Sequence, residues 1–346
     1  RHPFHWKMLY NSTIPVRLHG GPDTDSGMEL VSLARNPVPS GAIVGSFAGY
    51  DGAPLRYARW EPTRSPRRGT VCIFQGRAEF IEKYFETIAD LRRRGFAVAI
   101  LDWRGQGRSY RALSDRMKSH IVDFAEYDKD LVRFMKDVVL PDCPPPYVAL
   151  AHSMGGNILL RAATQPGSWF SHMVMTAPLV QIAEEKLGMP QAVALRLSEA
   201  MSMSGFATWF VPGGSAKAVE LGRFDGNQLT SDPERWGRTR AVLEAAPDLV
   251  LGSPTVGWLK AAMRSCARVT VPAFAETVKV PVLMLAAGED HIVSTRAIEE
   301  LGVRLKLGSH LLLPGALHEI LQETDAIRQR FWAAFDAYLE SAVAAA

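Results

Sequence analysis

Short, unbroken apolar runs recur along this chain, and between them lie longer stretches in which apolar residues return every third or fourth position. Val71-Cys72-Ile73-Phe74, Phe96 to Leu101, Pro146 to Leu150 and Met173-Val174-Met175 read as strands buried on both faces. Ile81 to Arg94, Ile121 to Val139 and Asn157 to Ala163 read as helices following three of them. Strands alternating with helices imply right-handed crossovers, so the pattern predicts an α/β fold with a mostly parallel sheet covered by helices on both faces. Upstream, Ala42 to Phe47 and Pro54 to Trp60 read as a hairpin turning at Tyr50-Asp51-Gly52, the expected antiparallel edge.

The alternation stops at Leu179. It resumes with a strand at Val282 to Ala286, a helix at Thr295 to Arg304, a last strand at His310 to Leu313 and a closing helix at Asp325 to Val343, completing an eight-stranded expectation. The intervening stretch holds helix formers at Gln191 to Met203, Pro233 to Glu244 and Thr255 to Ala267, broken by Pro212-Gly213-Gly214, Gly226-Asn227 and Pro247. An insertion after the sixth strand emerges at the C-terminal edge of the sheet, above the ligand crevice, and is expected to form a helical cap. The expected division is an extended arm over residues 1–40, a core over 41–178 and 279–346, and a cap over 179–278.

Composition changes this picture little. Of 346 residues, 47% are hydrophobic and the formal net charge is only +3, which argues for a globular core and against nucleic acid as a partner. The basic clusters, Arg64 to Arg68 and Arg92-Arg93-Arg94, read as a solvated turn and a helix end. Cys72, Cys143 and Cys266 lack paired or metal-type spacing, so neither a disulfide framework nor a metal site is expected. There is no run of 18 apolar residues, the length a spanning helix would need.

The candidate chemistry lies at Ala151-His152-Ser153-Met154-Gly155-Gly156, between a predicted strand and a predicted helix. A tight strand-to-helix turn exposes a serine hydroxyl, and the two glycines let the helix approach the strand. Such a serine needs a base to take its proton and an acid to hold that base in one tautomer, with acid and histidine on turns after later strands. Asp290 and His318 fit those positions. Asp102 precedes Ser153 and is expected to accept amide bonds in its own glycine-rich turn, and Glu289 is expected to point elsewhere. His291 adjoins the acid, His310 begins a strand, and His152 is expected to pack beneath the turn. An oxyanion hole needs two backbone donors, for which Met154 and Arg77, in the turn after the third strand, are the candidates.

These motifs together resemble a known family. Gly76-Arg77-Ala78-Glu79 with Lys83-Tyr84, Asp102 to Ser109, His152 to Gly156, Gly288-Glu289-Asp290, Gly315 to Leu321 and, in the cap, Leu229 to Pro233 and Pro254 to Trp258 are similar to the α/β-hydrolases of the monoacylglycerol lipase and lysophospholipase group, also described as serine aminopeptidase-like. Monoacylglycerol lipases usually carry His-Gly-x-Gly-Glu-His after the third strand. This chain has Gln75, Ala78 and Phe80 at three of those positions, so it is more similar to the bacterial lysophospholipases. The resemblance implies a serine hydrolase cleaving carboxylic esters of single-chain lipids through an acyl-enzyme, with no cofactor or metal. An acyltransferase and a non-catalytic binding protein of the same fold are the alternatives.

Gln75 and Gly76 in the turn, and Met201, Phe206 and Trp209 on the apolar stripe of the cap, are the candidate substrate-binding residues. That stripe is expected either to pack on the sheet or to line an acyl-chain pocket and touch the membrane surface. Arg77 and Arg104 are candidates to meet a phosphate head group. The expected compartment is the cytoplasm, with peripheral contact at the inner face of the membrane.

Overall fold

In the computed structural model, which describes residues 27–344, the buried apolar runs become strands of one eight-stranded sheet. The strands are β1 (Ile43–Ala48), β2 (Pro54–Trp60), β3 (Thr70–Phe74), β4 (Ala97–Leu101), β5 (Tyr147–His152), β6 (Phe170–Thr176), β7 (Val282–Ala287) and β8 (Gly308–Leu313). Every residue of β3, β4 and β7 is buried, as an internal strand covered on both faces requires. Their order is β1-β2-β4-β3-β5-β6-β7-β8. The β1–β2 and β2–β4 pairs are antiparallel and the remainder parallel, so the predicted hairpin does form the antiparallel edge.

The helices are α1 (Phe85–Arg93), α2 (Ala125–Phe134), α3 (Leu140–Asp142), α4 (Met154–Ala162), α5 (Glu184–Leu187), α6 (Gln191–Met201), α7 (Pro233–Ala245), α8 (Val256–Thr270), α9 (Phe274–Thr277), α10 (Thr295–Arg304) and α11 (Asp325–Ala344). Helix α4 contacts both α2 and α8, while α1 and α11 are tied by Arg94–Asp336 at 3.0 Å and Arg328–Asp90 at 2.5 Å. Two predicted helices start later than expected. Ile81–Tyr84 is a 3₁₀ turn ahead of α1, its four side chains all buried, because Glu82, Lys83 and Tyr84 each reach a different buried partner. Helix α2 begins at Ala125 because Asp123 accepts the Ala125 amide and Glu126 accepts those of Val122 and Asp123, which holds the preceding residues in a turn.

Between β6 and β7 the chain forms α5 to α9. Helix α7 starts at an Asp232 cap that accepts the Glu234 and Arg235 amides, with Pro233 in the first turn. Its Val242 and Leu243 join Phe80, Ala218 and Leu249 in a small separate core. Phe80, in the turn after β3, thus packs against the insertion. By contrast, Trp258, Ala262, Met263 and Cys266 of α8 belong to the main core. Of the expected arm, residues 1–26 lie outside the described residues; beyond them, the Val31 amide and the Asn36 side chain donate to Glu82.

Candidate active site

Strand β5 ends at His152 and α4 begins at Met154, leaving Ser153 alone at the turn with φ 49° and ψ −114°. A non-glycine residue in that conformation is strained by about 1–3 kcal/mol, and the surrounding contacts must hold it there. Close packing does so: a Cβ on Gly155 would lie 2.2 Å from the Phe74 carbonyl oxygen, and one on Gly156 2.6 Å from Pro178 Cβ. Ala151, by contrast, is a regular strand residue in register with Phe74 and Met175, so the methyl group costs the turn nothing.

Asp290 follows β7 and His318 follows β8. The two loops are laced together by Gly288 N to Leu313 O at 3.0 Å and Glu289 N to Ala316 O at 2.9 Å. His318 Nε2 lies 3.0 Å from Ser153 Oγ, and His318 Nδ1 lies 2.8 Å from Asp290 Oδ2. The other oxygen of Asp290 accepts the Ile292 and Val293 amides at 2.8 and 3.0 Å. Burial alone would raise the Asp290 pKa, but the His318 ring and these amides hold it below the usual carboxylate range. Burial likewise depresses His318, and the Asp290 charge and hydrogen bond, with the Glu319 and Glu79 charges, together more than reverse this, so its pKa lies above the ordinary histidine value. Ser153, His318 and Asp290 therefore form one hydrogen-bonded chain, with the hydroxyl hydrogen-bonded to a ring nitrogen of raised basicity.

The rivals are occupied otherwise. Asp102 is wholly buried, accepts the Ile81 and Arg108 amides and pairs with Arg56 at 2.7 Å. His152 lies beneath the turn, its Nδ1 3.0 Å from Thr176 O and its ring centre 4.8 Å from that of His318. Burial pushes its pKa down to about 4, so it is neutral and does not repel an imidazolium next to it. His291 is half-buried beside Glu185, and His310 faces solvent on β8.

Met154 opens α4, where the first amides have no intrahelical acceptor. In the facing turn, the Gly76 amide donates to Glu79 Oε2 at 2.5 Å and the Ala78 amide to Gln106 Oε1 at 3.2 Å. These two bonds fix the turn on both sides of the Arg77 amide.

Ser153 and His318 open into a cleft of about 410 Å³. Gly76 and Arg77 line it, with Leu179, Leu187, Val211, Leu229, Trp258 and Ile292 among its apolar walls. Four expected substrate-binding residues do not. Gln75 is fully buried beneath the turn, where its backbone carbonyl accepts the Trp103 indole N–H at 3.1 Å. Met201, Phe206 and Trp209 lie outside the cleft lining because α6 turns inward only at Ala194 and Ser198, and the chain then kinks at Gly205, φ 89°. Arg104 is also displaced from the expected role: it is buried against Asp130 at 2.6 Å and Asp51 at 2.8 Å, away from the cleft. Sequence reasoning overlooked Glu323, whose carboxylate accepts the Leu317 and Ser231 amides and so ties the histidine loop to the insertion.

With this geometry in view, the family model for serine aminopeptidase, S33, matches residues 65–325. The chain belongs to that family. Its relatives include the lysophospholipase L2 of Escherichia coli K12, 32% identical over 82% of this chain and 83% of that protein. A monoacylglycerol lipase of Mycolicibacterium smegmatis is 28% identical over 81% of this chain and 91% of that one. Among solved structures, a soluble variant of Saccharomyces cerevisiae monoglyceride lipase in complex with a substrate analog shares the fold, with TM-score 0.67 and 21% identity over 88% of this chain and 97% of that chain. This S33 family member is thus an α/β-hydrolase of the lipase and lysophospholipase type, an ester hydrolase. No helix among its described residues is long and apolar enough to cross a membrane.

Proposed function

We propose that this S33 family member hydrolyses carboxylic esters of single-chain lipids, lysophospholipids or monoacylglycerols, through a Ser153-His318-Asp290 triad. The observation that carries this reading is the unbroken chain of hydrogen bonds from Asp290 through His318 to Ser153 at the base of the cleft. Ser153 Oγ attacks the ester carbonyl as its proton passes to His318 Nε2. Asp290 keeps the other ring nitrogen protonated and stabilises the imidazolium. The Met154 and Arg77 amides receive the negative charge on the carbonyl oxygen. The tetrahedral species collapses, the C–O bond breaks, and His318 returns the proton to the leaving alcohol. Water, deprotonated by the same histidine, then releases the fatty acid and restores the serine.

Residues 179–278 act as the cap, since Leu179, Leu187, Val211, Leu229 and Trp258, all from this stretch, supply apolar wall for an acyl chain. The exposed stripe of Val193, Leu197, Met203, Phe206 and Trp209 serves as a contact with the lipid surface from which the substrate is drawn. The test is a fluorophosphonate probe followed by a panel of lysophospholipids and monoglycerides. Ser153 should be labelled, and Ser153→Ala should abolish both labelling and hydrolysis. An unlabelled wild-type protein, or activity retained in Ser153→Ala, overturns the reading.

A further inference from the structure

Lys83 carries a feature that the triad does not use. Its ammonium group is almost fully buried and is ringed by Glu319 at 2.6 Å, Glu79 at 3.3 Å and Glu220 at 3.6 Å. The three carboxylates come from three separate stretches. Glu79 closes the turn that holds the Arg77 amide, Glu319 directly follows His318, and Glu220 belongs to the insertion and lines the cleft. The second oxygen of Glu79 accepts both the Gly76 amide at 2.5 Å and the Tyr84 hydroxyl at 2.7 Å. One cation thus links the Arg77 turn, the histidine loop and the cleft wall.

A buried ion cluster is a poor source of stability, because desolvation cancels most of its attraction, and such a cluster is better suited to fixing relative positions. We propose that Lys83 is a positioning residue for the hydrolysis. By gripping Glu79 and Glu319 together it sets the Arg77 amide and the His318 ring in register, and the surrounding carboxylates add negative charge beside the imidazolium. This rests on the triad reading of Ser153, His318 and Asp290.

The charges facing the cluster agree. Burial and the nearby Glu79 and Glu220 charges push the Glu319 carboxyl up, while Lys83 at 2.6 Å favours its ionised form. Glu79, held by Lys83, Tyr84 and the Gly76 amide despite its burial, falls to about 2. Both carboxylates raise the basicity of His318 after Asp290 has done so. Of the other groups nearby, His152 is neutral, and Arg77, whose own pKa burial lowers, faces Glu220.

The experiment uses the full chain with Lys83→Met and Glu319→Gln, reading kcat and KM on a monoglyceride from pH 5 to 9 alongside the folded fraction by circular dichroism. Lys83→Met should lower kcat about a hundredfold with KM within about threefold, the size expected when one oxyanion donor is lost. Glu319→Gln keeps the shape and removes the charge, so the acid limb of kcat/KM should move to lower pH by about half a unit or more. A purely structural cluster would change the folded fraction and leave that limb in place. Should Lys83→Met not fold, the Glu319→Gln profile decides alone. A wild type with Ser153-dependent activity and an unmoved limb in Glu319→Gln overturns this proposal only; a wild type with no such activity overturns the triad reading beneath it.

Discussion

Asp290→Asn removes one charge and, through it, the tautomer on which the proposed proton transfer depends. In the structure Asp290 Oδ1 accepts the Ile292 and Val293 amides, so the amide oxygen of an asparagine would take that side and its NH₂ would face His318 Nδ1. The ring would then have to accept at Nδ1 and carry its proton on Nε2, where it could no longer receive one from Ser153. The charge itself matters too. With centres about 4 Å apart and an effective dielectric constant of about 20, the Asp290–imidazolium attraction is about 4 kcal/mol. At about 1.4 kcal/mol per decade this is roughly a thousandfold in rate, before any cost of the wrong tautomer. The assay is kcat/KM on a monoglyceride across pH, with thermal unfolding as the control. The wild-type acid limb should lie above about 6.5, because Asp290 raises His318 and the base must be neutral to act. In Asp290→Asn the remaining activity should have its limb at lower pH. A variant within tenfold of wild type, or with an unshifted limb, would refute the reasoning.

Gly155→Ala should destabilise the fold by about 3 kcal/mol or prevent it, because the new methyl would sit 2.2 Å from the Phe74 carbonyl; a melting temperature near that of wild type would contradict the packing described. Glu86, bonded by Arg235 and faced by Arg328 and Arg238, falls to about 2 in spite of partial burial. A depressed carboxylate contributes its stability above the unfolded value, about 4.3, and loses it as pH falls toward 2. Glu86→Gln should therefore cost stability at pH 7 and cost progressively less in denaturant titrations below about pH 4. Replacing both Met203 and Trp209, 89% and 60% exposed, by serine should reduce co-sedimentation with lipid vesicles while leaving hydrolysis of a short soluble ester within about twofold; unchanged sedimentation would count against the stripe as a membrane contact.

The sheet and the Ser153, Asp290 and His318 arrangement were legible because each depends on local pattern. A buried strand announces itself as an apolar run, and each of the three side chains sits a few residues past the end of one. The strand–helix order then brings those ends to one edge. The orientation of α6 was not legible, because periodicity gives the width of an apolar stripe and not the neighbour that covers it. Here Gly205 turns the chain, and Val193 and Leu197 face solvent. Nor could spacing reveal the Lys83–Glu319 pair, whose members are 236 positions apart and meet only after β3, β8 and the insertion have come together. Arg104 looked available because an arginine in a glycine-rich turn is usually solvated; Asp130, on a helix well downstream, takes it instead.

The proposed triad hangs from the ends of β5, β7 and β8, whereas much of the cleft wall is made by chain inserted between β6 and β7. Selectivity and reactivity are therefore carried by different lengths of polypeptide. Drift in the wall can retune which ester is admitted while the floor keeps its alignment, so one scaffold can be re-specialised by changing a single excursion of its backbone.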